Sequence, residues 1–133
     1  MATDYERTKR DIAQLLAHSE VFPDHVEVEP RDTNAHTLFL RAHWMVHGQD
    51  KDRRSVPIRF AIDGRVIVEL AKFNAAQRKL FEEHFLHFVA NRMRDYDVES
   101  GAPKAGNSSA FDIIFDEDGM KSFYDALAKL PQT

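Results

Sequence analysis

The chain is predicted to be an α+β protein: an antiparallel sheet of about five strands with three helices mainly on one face. Three observations predict it. Short segments alternate apolar and polar residues at period two, as in Leu38-Phe39-Leu40-Arg41-Ala42, which marks half-buried strands. Other segments, such as the one carrying Phe81, Phe85, Phe88 and Val89, recur at helical spacing. The 133 residues, 43% hydrophobic with ten Phe and 30% charged, suffice for one core under a charged surface. A single domain over residues 1–133 follows, in the order α-β-β-β-β-α-β-α.

Taken along the chain, Thr3 and Glu6 have the spacing of a capping box. Behind them Tyr5, Thr8, Ile12, Leu15 and Leu16 form a narrow stripe, so a helix is predicted over Asp4–Ser19, ended before Pro23. Val26 and Val28 alternate with acids in a short strand stopped by Pro30, and Arg31–Ala35 is a turn-rich connection. The strand predicted over Thr37–Val46 sends Leu38, Leu40, Ala42, Trp44 and Val46 to one face. Phe39, Arg41, His43 and Met45 go to the other. Gly48–Arg54 is a charged loop.

Asp63-Gly64 between apolar runs predicts a hairpin over Val56–Leu70. A three-residue connection pairs Phe60 with Val66, Ile58 with Val68 and Val56 with Leu70, giving one continuous apolar face; a two-residue turn would place Ile58 against Glu69. The preferred register leaves Arg59, Ala61, Ile67 and Glu69 beside Phe39 and Arg41. Asn74 with Gln77 opens a helix predicted to run to Tyr96, roughly 34 Å long at 1.5 Å per residue, as the main lid over the sheet. Residues 97–110, rich in Gly, Ala, Asn and Ser, break the periodicity and predict a mobile loop. Phe111, Ile113 and Phe115 mark a fifth strand. A last helix carries Met120, Phe123, Tyr124, Leu127 and Leu130, with Pro131 as its stop.

A net charge of −4 and a pI near 5.9 argue against a general nucleic-acid or anionic-membrane binder. The lack of cysteine removes disulfides, thiolate catalysis and Cys-ligated zinc. The polar, acidic start and the absence of a long apolar run predict a cytoplasmic protein. Glu83, His84 and His87 could share a helix face, but they make an incomplete metal site on the polar side of the wheel, and solvated histidines explain them. Asp112, Asp116, Glu117 and Asp118 could attract a cation, although carboxylates before a helix have a sufficient role as caps. Lys51, Arg53 and Arg54, with Arg78 and Lys79, could touch phosphate, but acids are interspersed with the first group. No glycine-rich phosphate loop or nucleophile elbow is present. No cofactor, metal or catalytic residue is therefore assigned, and an enzyme is the less favoured expectation.

Arg59-Phe60-Ala61-Ile62-Asp63-Gly64-Arg65-Val66 and Phe111-Asp112-Ile113-Ile114-Phe115-Asp116 resemble a small family of uncharacterised bacterial proteins. The resemblance implies a bacterial cytoplasmic protein and transfers no functional residue. From the residues themselves, the surface predicted to bind is the second sheet face: Phe39, Arg41, His43, Met45, Arg59, Ile67 and Glu69. A protein partner or a homodimer is expected there, since aromatic, Met and Arg side chains are enriched at interfaces. The alternative is a small-ligand site or enzyme using the 97–110 loop as a lid.

Overall fold

The computed structural model describes residues 4–31, 36–47, 52–104 and 110–129. The Thr3 cap, the connections at 32–35 and 48–51, residues 105–109 of the expected loop, and Leu130 with its Pro131 stop lie outside them. The described elements are α1 (Asp4–Ala17), β1 (Glu27–Pro30), β2 (Thr37–His43), β3 (Met45–Val46), β4 (Arg53–Arg54), β5 (Ile58–Asp63), α2 (Gly64–Ala71), α3 (Ala75–Arg92), a 3-10 turn (Met93–Asp95), β6 (Tyr96–Asp97), β7 (Ala102–Pro103), β8 (Phe111–Phe115) and α4 (Glu117–Ala128). The class is α+β, with four helices rather than three.

The main sheet has the order β1-β2-β5-β8. Its first three strands are antiparallel, whereas β8 lies parallel to β5, so the sheet is mixed and has four strands rather than five. Two further pairs, β3 with β4 and β6 with β7, are two-residue ladders outside it. Trp44 explains the first. It is buried, its amide donates to Ser55 Oγ at 3.0 Å, and its carbonyl accepts from the Ser55 amide at 2.8 Å. The long strand expected over Thr37–Val46 therefore divides at Trp44. Within the expected 97–110 loop, the Asp97 carboxylate accepts from the amides of Glu99 and Ser100, and Gly101 turns at φ 68°. A Cβ on Gly101 would meet Val46 Cγ2 at 2.5 Å, so this glycine is packed against β3.

The second half of the expected hairpin is helix α2. Asp63 is its N-cap, accepting a 2.9 Å hydrogen bond from the Arg65 amide. Gly64 is needed for close approach: its amide donates to the His36 carbonyl at 2.7 Å, where a Cβ would stand 2.9 Å from that oxygen. Val66, Ile67 and Leu70 turn inward at helical spacing. The hairpin also has no vacant edge to occupy, because β2 and β8 already flank β5. A parallel β5–β8 pair needs a crossover, and α2 and α3 lie on the chain between them.

The buried side chains form one cluster between the sheet and the helices. From the sheet come Leu38, Leu40, Ala42, Ile58, Phe60, Ile62, Ile113 and Phe115; α1 adds Ile12 and Leu16. Helix α3 has both reciprocal hydrogen bonds of the Asn74–Gln77 box, 2.8 and 3.0 Å. Its Phe81, Phe85 and Phe88 rings each reach Phe115 of β8, at centroid distances of 5.8, 5.2 and 5.1 Å. The i, i+4, i+7 spacing thus sets α3 over the sheet as its main lid. Arg92, the last residue of α3, donates to the Asp112 carbonyl at 3.0 Å and covers the Phe111 ring, which shields part of the outer edge of β8.

Candidate functional site: the open sheet face

Opposite the helices the sheet bears a depression of about 680 Å³. Strand register arranges its floor in two rows running across the strands. Glu29 stands opposite Arg41, Arg41 opposite Arg59, and Arg59 opposite Asp112. The neighbouring row places Phe39 opposite Ala61 and Ala61 opposite Ile114, with Arg31 at the end of β1 donating its amide to the Phe39 carbonyl. One row is therefore charged, in the sequence acid, base, base, acid, and the next is apolar. Ile114 is 59% exposed.

The two acids of the charged row are engaged. Asp112 holds Arg59 in a bidentate pair, 2.7 Å to Nε and 3.0 Å to Nη2. Its hydrogen bonds raise the Arg59 pKa still further above the usual range. Glu29 turns away from Arg41 to Arg31, accepting at 3.1 and 2.8 Å. The Arg31 hydrogen bonds hold the Glu29 carboxyl below its usual pKa. Arg41 is left with no hydrogen bond or ion pair from its guanidinium among the described residues, and its Nε is buried without an acceptor. Like charges directly opposite on neighbouring strands repel, so the unpaired cation also faces a second arginine.

Of the residues expected on this face, Phe39, Arg41 and Arg59 are brought together. His43 shares the face but is only 5% exposed, with Nε2 at 3.5 Å from both the Glu27 and Glu29 carboxylates. Met45 belongs to β3, outside the main sheet, because of the break at Trp44. Ile67 and Glu69 are corrections. With 66–70 helical rather than extended, Ile67 is 0% exposed in the core, and Glu69 accepts a 3.2 Å hydrogen bond from Tyr124 Oη of α4. Four contributors were missed: Glu29, Arg31, Asp112 and Ile114. The alternation of Asp112 and Ile114 with Phe111, Ile113 and Phe115 carries the signal for two of them, but only the parallel pairing sets them beside Arg59 and Ala61.

The other candidate clusters have structural work. Asp116 caps α4 through the Asp118 amide at 3.0 Å, and Glu117 pairs with Arg65. Arg78 joins Asp11, Thr8 and the Leu70 carbonyl, while Arg53 donates to the Ser100 carbonyl. The His84 ring lies 5.6 Å from Phe123, and burial, then the neighbouring His87, lowers its pKa. Among the described residues, no three His, Asp or Glu side chains form a group that could hold a metal ion, and no helix is long and apolar enough to cross a membrane. No family model, curated protein or solved structure matches this chain.

Proposed function

We propose that this chain is a non-enzymatic protein-interaction module that binds a partner protein, or a second copy of itself, through the open sheet face. A bacterial cytoplasmic setting, implied by the resemblance, fits a chain without cysteine. The observation that carries the proposal is the pairing of an apolar row, ending in the exposed Ile114, with a charged row whose central Arg41 has no counter-ion among the described residues. An apolar strip flanked by arginine has the composition of an interface centre. The depression next to Ala110 favours a second reading, a small anionic ligand.

Site-specific photo-crosslinking in the producing cell tests the choice. A photoreactive residue at position 114 is expected to give a discrete protein adduct. The same residue at Asp125, exposed on α4, serves as the control and should not. Equal adducts at both positions, or none at 114, would remove the proposal; sedimentation over a concentration series then separates a dimer from a foreign partner.

A further inference from the structure

We infer that Arg41 is the receptor for a carboxylate of a foreign protein segment, one that carries Asp or Glu beside a large apolar side chain. This rests on the interaction face proposed above and specifies the chemistry of its partner. Three acids share the described face, Glu27, Glu29 and Asp112, and neutralising Arg41 from within it would need one of them. Taking Glu29 would strip Arg31, and taking Asp112 would strip Arg59. Glu27, the third acid of the described face, lies 3.5 Å from His43, so with Glu29 and Asp112 engaged an added acid completes the face.

The same engagement of the acids argues against a second copy. Each copy would bring its own Arg41, and the acids of its face could reach across only by leaving Arg31, Arg59 or His43. His43 stands within 3.5 Å of Glu27 and Glu29, which further occupies the acids of β1. A foreign segment carries no such penalty. Carboxylate geometry suits it as well, since a guanidinium offers two parallel donors to one carboxylate.

Spacing adds a second constraint. The apolar row lies two residues along the strands from the charged row, about 7 Å away. It runs from Phe39 to Ile114 over two strand intervals, about 10 Å. A segment lying across the strands along Phe39, Ala61 and Ile114 would set a carboxylate onto Arg41 from a neighbouring position. Apolar contact supplies the area, and the charge pair fixes orientation.

The test is a random-peptide display selection on the whole chain, repeated on Arg41→Gln, Ile114→Lys and the wild-type protein in high salt. Peptides selected on the wild type are expected to carry Asp or Glu next to a large apolar residue. Individual peptides should bind Arg41→Gln about ten- to a hundredfold more weakly, the size of a lost charge-assisted hydrogen bond. The Arg41 Nε–H resonance should move on peptide addition. Because Arg41 has no partner among the described residues, Arg41→Gln should melt no lower than wild type, which a structural role would not allow. Peptides without acid enrichment, or bound equally by Arg41→Gln, overturn the inference but leave the interaction face standing. So does a wild-type dimer that Arg41→Gln dissociates. Failure to select any peptide, or selection of peptides indifferent to Ile114→Lys, overturns the inference and the face together.

Discussion

Tyr96 shows how one residue can tie two kinds of structure together. It leaves the helical turn after α3 and enters β6, and its ring meets both Trp44 at 5.7 Å and Phe111 at 5.4 Å. Its hydroxyl donates to the Val56 carbonyl at 2.7 Å, in the extended stretch just ahead of β5. Burial favours the uncharged phenol and pushes its pKa up to about 12, from 10.0. Linkage then has a definite sign. Between pH 10 and about 12 the unfolded chain loses the proton and the folded chain keeps it, so stability should fall as the pH rises through that window. Tyr96→Phe removes the titration and should flatten that limb of the pH profile. At neutral pH it should cost about 1 kcal/mol, because the Val56 carbonyl loses its donor. Denaturant midpoints at pH 7 and across the alkaline range measure both; a variant whose alkaline slope matched wild type would assign the loss to other groups.

At the scale of elements, legibility followed how many independent signals agreed. Strand β2 was readable because Leu38, Leu40 and Ala42 alternate with Phe39 and Arg41 over a length that admits only one period. Helix α3 was readable because its Asn74–Gln77 box and its phenylalanine spacing point to the same element. Residues 64–70 satisfy two periods at once: Val66, Val68 and Leu70 fit a strand, while Val66, Ile67 and Leu70 fit a helix. Seven residues are too few for periodicity to decide, and Asp63-Gly64 serves a turn or a cap equally well. What decides is β8, some fifty positions along the chain, which takes the second edge of β5. Phe39, Arg41 and Arg59 were legible as site residues because they sit on strands fixed by local pattern. Ile67 and Glu69 were misplaced because they depended on the hairpin. The Asp63 cap gives the element-scale test. Asp63→Ala should lower stability by about 1 kcal/mol, and Asp63→Asn should keep most of it, since Asn caps nearly as well. Equal losses in chemical denaturation would mean that the cap hydrogen bond is not what the aspartate contributes.

Across the whole molecule, the sheet divides stability from recognition. Its inner face meets four helices and holds Phe60, Ile113 and Phe115 in the core; its outer face carries the charged and apolar rows and is covered by no described helix. Two adjacent residues of β8 make the division measurable. Ile113 is 1% exposed, whereas Ile114, pointing the other way, is 59% exposed. Ile113→Ala removes side-chain atoms from a packed interior and leaves a cavity that the surrounding core can only partly close, so a loss of about 2–5 kcal/mol is expected. Ile114→Ser removes a side chain that already meets solvent and should change stability by no more than about 0.5 kcal/mol. The binding readout should reverse the order: peptides selected on the wild-type protein should lose affinity for Ile114→Ser and retain it for whatever fraction of Ile113→Ala stays folded. If Ile114→Ser unfolded the chain as readily as Ile113→Ala, the outer face would be part of the core, and neither row could serve a partner. If both variants folded and bound alike, the apolar row would be ordinary surface and recognition would lie elsewhere on the molecule.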